Sequence, residues 1–212
     1  MVYVTSSDFK RRENEAYLRV ATLADGERVA DLFSFRLVAA SIKEVLEVDL
    51  EAMVTAEVRD AYEQLRIPCL VEHAGLLFSE HLDASYPGGL TKPMWNALGA
   101  GFIEETQSAG RAAIARAVVA YCDGMSIRTY IGETAGRIAD APRGARDFYW
   151  DTIFVPEVGG KPGTLTYAEI TDDPGMGLDF KMNGLSQSAR AMTSFLEDLR
   201  DSGPPDLWPD AI

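Results

Sequence analysis

The run Phe148-Tyr149-Trp150-Asp151 sets three aromatic rings beside one carboxylate in a chain of 212 residues. In an extended segment successive side chains alternate, so Asp151 would point away from Trp150. That arrangement suits a flat heterocycle, with ring faces to stack on and an acid to accept ring N–H groups. The plainer reading of the same residues is a buried aromatic strand with a solvated acid.

A second constellation lies near the N-terminus. Val2-Tyr3-Val4-Thr5 reads as a short buried strand, Ser6-Ser7-Asp8 as a turn with a helix cap, and about 9–24 as a helix. A strand, a hydroxyl-rich turn and a helix start can cradle phosphate, because free N–H groups and the dipole attract anions. Ser7 sits in that turn, and Lys10 falls in the first helical turn, facing the same anion. Further on, Ile67-Pro68-Cys69-Leu70-Val71-Glu72 is an apolar strand that ends in an acid, with His73 next. The end of a central strand is a usual place for site chemistry in an α/β sheet.

The elements that must position these groups follow from pattern. Residues 33–38 alternate as a strand, and an acidic stretch with Glu44, Glu47, Asp49 and Glu51 leads into a helix through Leu65. Residues 112–121 and 125–134 read as two strands joined at Cys122-Asp123-Gly124. A final amphipathic helix covers about 188–200. Residues 1–200 form one domain, and 201–212 are an acidic, Pro-rich tail whose Trp208 could anchor a partner.

Net charge is −13, which argues against nucleic acid as a partner. It leaves room for a nucleotide held by a local basic pocket and Mg²⁺. Cys69 and Cys122 each sit in an apolar run and read as buried free thiols. No apolar stretch approaches a membrane span, and the expected location is the cytoplasm.

Phe148-Tyr149-Trp150-Asp151-Thr152-Ile153-Phe154 resembles the base-binding segment of the inosine triphosphate pyrophosphatases, Phe-Gly-Trp/Tyr-Asp-Pro-Ile-Phe. Other stretches fall in that family's order over nearly the whole chain. Thr5-Ser6-Ser7-Asp8-Phe9-Lys10 is similar to Thr-Gly-Asn-x-x-Lys, with the lysine kept. Val71-Glu72-His73-Ala74-Gly75-Leu76 is similar to Val-Glu-Asp-Thr/Ser-Gly-Leu. Lys92 falls on a lysine that points at phosphate. Gly132 and Gly136 match a structural Gly-x-x-x-Gly-x-Ile. Lys181-Met182-Asn183-Gly184-Leu185-Ser186-Gln187-Ser188 resembles Lys-Asn-x-Ile-Ser-His-Arg with one extra residue.

The resemblance implies an α/β fold, a long, mixed, twisted sheet flanked by helices, with a nucleotide cleft between two lobes. It implies a purine nucleoside triphosphate bound by Ser7, Lys10, Lys92, Phe148, Trp150, Asp151, Lys181, Ser186 and Gln187. It assigns chemistry to Glu72 and His73, and Mg²⁺ to Asp49, Glu47 and Glu72. His73 stands where the family has an acid that binds metal and orients the attacking water. A neutral imidazole can act as a base but is a poor ligand for Mg²⁺, so metal binding is expected to be weak or lost. The leading expectation is therefore a degenerate relative that binds inosine or deoxyinosine triphosphate as a sensor. It would work as a homodimer or beside a protein effector, a sirtuin-like NAD hydrolase in anti-phage defence. The alternative is an active pyrophosphatase on inosine, deoxyinosine or xanthosine triphosphate.

Overall fold

The computed structural model describes residues 1–145 and 149–203. Phe148 and most of the tail, Trp208 included, lie outside the described residues.

The strands are β1 (Val2–Val4), β2 (Arg36–Val38), β3 (Cys69–Phe78), β4 (Pro87–Gly88), β5 (Ala112–Cys122), β6 (Ile127–Ile138), β7 (Phe154–Val158) and β8 (Lys161–Pro162). They form one sheet in the order β2-β1-β3-β5-β6-β7-β8, with β4 alongside β3. β1 runs parallel to β2 and β3, and the pairings from β3 onward are antiparallel. The helices are α1 (Asp8–Val20), α2 (Val29–Leu32), α3 (Leu50–Leu65), α4 (Thr91–Leu98), α5 (Phe102–Glu105), α6 (Tyr167–Asp172), α7 (Gly177–Phe180) and α8 (Gln187–Ser202). Among the described residues no helix is long and apolar enough to cross a membrane.

Side-chain alternation divides the core. Tyr3, Leu70, Ala117, Val119 and Tyr121 pack on α1 and α8 through Tyr17, Met192 and Phe195. Val4, Val71, Leu77, Val118 and Ala120 pack on the other face against Val54, Val58 and Ala61 of α3. A third cluster gathers Phe78, Phe102, Ile138, Trp150, Phe154 and Tyr167 around the far end of β3 and β5.

Three expectations change. The strand expected at 33–38 is only Arg36–Val38, because Phe33 N–H closes α2 on Val29 O at 2.9 Å. β3 does not end at Glu72 but continues to Phe78, paired with β5 along its length. Gly75 permits this: a Cβ there would meet Gly88 O of β4 at 2.2 Å. The aromatic segment is not extended. Tyr149–Thr152 is a single 3₁₀ turn, with Ile153 N–H donating to Trp150 O at 3.0 Å, so its side chains do not alternate.

Candidate functional site

One cleft collects residues from four of the stretches that the sequence singled out. Its walls are the β1–α1 turn with Thr5, Ser7 and Lys10, Glu44 ahead of α3, Glu57 of α3, Glu72 and His73 of β3, Lys92 of α4, and Tyr149 with Trp150.

The basic end is built at helix starts. Ser7 caps α1, its Oγ accepting from Lys10 N at 3.3 Å. Lys10 Nζ donates to the backbone oxygen of Glu72, which fixes the ammonium over β3. Across the cleft, Lys92 Nζ donates to Glu44 Oε1 at 2.9 Å and stands 5.9 Å from the centre of the Tyr149 ring. That bond from Lys92 holds the Glu44 carboxyl below its ordinary range.

Glu72 and His73 do not act as one acid–base pair, because neighbours on a strand face opposite sides. Glu72 is buried on the α1–α8 face, where it accepts from Tyr3 Oη at 2.7 Å and from Ser188 Oγ at 2.7 Å. Burial pushes its pKa up, but Lys10 and the two hydroxyls outweigh that and hold it low. Each oxygen of Glu72, which the resemblance assigns to metal, thus accepts one hydrogen bond from the protein. His73 lies on the α3 face, its Nδ1 3.5 Å from Glu57 Oε2.

Lys181 was expected among the residues that bind the nucleotide. It is instead 1% exposed and sits between Asp151 and Glu13, with Glu13 Oε1 at 3.0 Å. Its ammonium also lies 4.7 Å from the Tyr167 ring centre and 5.1 Å from that of Phe9. Burial raises the pKa of both acids, that of Glu13 to about 7 even with Lys181 opposing it. Asp151 gives one oxygen to Lys181, and its Oδ1 has no hydrogen-bond partner among the described residues. Trp150 is 1% exposed, packed edge-on to Phe154 at 6.0 Å, and meets the cleft as part of its floor.

Ser186 caps α8, accepting from Ala189 N at 3.2 Å, and Gln187 Oε1 accepts from Tyr167 Oη at 3.0 Å. Both are buried outside the cleft wall. Arg190, the other cation near these residues, donates to Gly184 O and Glu133 O and straps the preceding turn to β6. The extra residue between Lys181 and Ser186 is absorbed in a wide π-type turn, Lys181–Leu185, closed by Ser186 N–H to Lys181 O at 3.0 Å.

Asp49 and Glu47, two of the acids expected at metal, are placed elsewhere. Asp49 Oδ1 caps α3, accepting from Glu51 N at 2.8 Å and Ala52 N at 3.2 Å. Glu47 folds back onto Val48 N and Asp49 N. Neither lines the cleft. Glu44 and Glu57 do, and Glu57 Oε1 is buried with no hydrogen-bond partner among the described residues. Among the described residues no three His, Cys, Asp or Glu side chains are grouped to hold a metal by themselves. Mg²⁺ commonly takes only one or two carboxylates and completes its shell with phosphate and water, so this donor set fits it. The signal for Glu57 was present: buried residues of α3 fall at 50, 53, 54, 57, 58 and 61, and Glu57 is the one acid in that stripe.

Comparison with known proteins bears on the whole chain. The profile of the Ham1 family matches residues 1–197. A dITP/XTP pyrophosphatase of Hyperthermus butylicus is 31% identical over 171 residues, 79% of this chain and 82% of that protein. Inosine triphosphate pyrophosphatase 2 of Trypanosoma cruzi is 29% identical over 194 residues, 90% of this chain and 87% of its own length. Among solved structures, a HAM1 protein from Coxiella burnetii superposes with a TM-score of 0.62 at 19% identity, covering 93% of this chain and 98% of that one. The Staphylococcus aureus Ham1 protein gives 0.60 at 15% identity, covering 95% and 99%. These structures share the long twisted sheet with its flanking helices.

Proposed function

The chain belongs to the Ham1 family, and from that premise we propose that it is a nucleoside triphosphate pyrophosphatase. Its substrates in this reading are inosine, deoxyinosine and xanthosine triphosphates, cut to the monophosphate and pyrophosphate. The observation that carries it is one cleft joining the capped start of α1, with Lys10, to Tyr149 and Trp150. Lys10 and Lys92 would hold the phosphates, and Tyr149 would offer a ring face to the base. Asp151, whose Oδ1 has no hydrogen-bond partner among the described residues, would accept a ring N–H. Mg²⁺, when bound with the triphosphate, neutralises phosphate charge, and Glu44 and Glu57 are the cleft carboxylates suited to it. The names of the relatives favour this reading, and a cytoplasmic setting agrees with the buried free thiols of Cys69 and Cys122.

The second reading is a regulatory subunit that binds the same nucleotide without cleaving it. The observation favouring it is the imidazole of His73 on the α3 wall. A homodimer, or a complex with a sirtuin-like NAD-consuming effector, belongs to that reading. The test is pyrophosphate release with Mg²⁺ across inosine, deoxyinosine, xanthosine, guanosine and adenosine triphosphates. Turnover of about 1 s⁻¹ or faster on the first three supports the enzyme. Tight binding of inosine triphosphate without pyrophosphate release would replace it with the regulatory subunit.

A further inference from the structure

We propose that Glu57 is the protein ligand of the divalent cation that enters with the triphosphate, and that His73 is the positioning residue that aims it. The inference rests on the pyrophosphatase reading for its substrate. Its observations are independent of that reading.

Glu57 is 4% exposed, yet it lines the cleft and its Oε1 has no hydrogen-bond partner among the described residues. A buried carboxylate oxygen left unsatisfied is costly, and a structure keeps one where something binds it. Its other oxygen, Oε2, is 3.5 Å from Nδ1 of His73 on the facing strand. An Nδ1–H facing Oε2 would hold the carboxylate by that oxygen and leave Oε1, buried at the cleft wall, as the one to be met by a cation. Partners of this kind orient carboxylates that ligate metal.

The charges around the cleft need such a cation. Glu44, Glu57 and Glu72 line it against Lys10 and Lys92. Lys92 is paired with Glu44, and Lys10 sits on the backbone oxygen of Glu72. A polyphosphate entering this wall meets carboxylates for which the lysines do not compensate. A hard cation between Glu57 Oε1 and the phosphate oxygens turns that repulsion into attachment, and such a cation commonly takes only one or two protein carboxylates. Glu44 is the more exposed acid and its Oε1 already takes the Lys92 bond, which leaves it the lesser contributor.

The experiment measures Mn²⁺ binding by electron paramagnetic resonance, with a non-hydrolysable imido analogue of inosine triphosphate present. His73→Ala is expected to weaken Mn²⁺ by about 10–100-fold, the usual effect of losing a partner that orients a ligand. Glu57→Gln is expected to weaken it further. The double variant Glu57→Gln/His73→Asp returns a carboxylate to the same gap from the strand side and is expected to regain Mn²⁺ relative to Glu57→Gln. Should Glu57→Gln fail to fold, His73→Ala is compared with the parent by itself. Mn²⁺ held by Glu57→Gln as tightly as by the parent overturns the proposal, as does unchanged affinity in His73→Ala. Pyrophosphate release by the parent, measured in the same preparations, separates the two claims. Release by the parent while Glu57→Gln keeps its Mn²⁺ overturns the ligand assignment alone. Loss of Mn²⁺ in Glu57→Gln, with no release by the parent, supports the assignment and overturns the activity.

Discussion

Glu72 shows how a site motif can carry structure. Removing the Ser188 hydroxyl leaves one buried carboxylate oxygen unpaired, which should cost about 1–3 kcal/mol in urea unfolding of Ser188→Ala. The pKa of Glu72 is depressed, so its contribution is present above the unfolded carboxylate range and is lost as pH falls through the folded value. Losing a hydrogen bond to the charged form raises that value, so acid unfolding of Ser188→Ala should begin at a higher pH than in the parent. Glu13 has the opposite sign. With a folded pKa raised from 4.5 to about 7, the folded protein keeps a proton that the unfolded chain releases. Stability should therefore fall as pH rises across that window, with a slope of up to about 1.4 kcal/mol per pH unit from this group. Urea titrations from pH 5 to 8 should show a shallower fall in Glu13→Gln. At the base end, Asp151→Ala should weaken inosine triphosphate by roughly 1.5–3 kcal/mol in calorimetry, the value of a charge-assisted hydrogen bond. Unchanged affinity would remove Asp151 from the base site.

Elements were legible where one period dominates. The β5–β6 hairpin, α1, α3 and α8 follow directly from alternation, apolar stripes and capping residues. The aromatic turn was not legible, because alternation presumes an extended chain and the turn is set by its hydrogen bonds to neighbouring segments. Arg143 N–H donates to Thr152 O at 2.9 Å, and Ala139 N–H to Ile153 O at 2.8 Å. Glu57 and Glu13 escaped notice for a related reason: each is an acid inside an otherwise inward-facing helical stripe, a position usually read as core. The two glycines of β6 were legible as structural. A Cβ on Gly132 would lie 2.1 Å from Gln187 O and 2.4 Å from Ala191 N, so α8 lies directly on the strand. Gly132→Ala should push α8 away and destabilise by about 1–3 kcal/mol or more in chemical denaturation. Because α8 carries Ser188, the same variant should raise the acid-unfolding pH as Ser188→Ala does.

At the scale of the whole molecule, a chain of net charge −13 attracts an anion only through a local arrangement of cations. Affinity should therefore rise from inosine through its mono- and diphosphate to the triphosphate, and it should fall with added salt. Lys10→Ala should flatten both trends while leaving inosine itself little affected. Equal binding of inosine and its triphosphate would contradict the placement of Lys10 and Lys92. The overall architecture was readable from the family resemblance and from the long central strands β3, β5 and β6, which lie side by side. The pairing of particular charges was not, since Glu13, Asp151 and Lys181 come from three distant segments and meet only after folding. The wide turn Lys181–Leu185 has a further consequence for chain length. Gly184, with φ of +77°, and Asn183 take up the additional residue while Lys181 stays on Asp151 and Ser186 stays on the cap of α8. One inserted residue in a continuous helix would turn everything after it by about 100°. Here the bulge stands ahead of the cap at Ser186, so a change of length within it would leave the phase of the last helix unaltered.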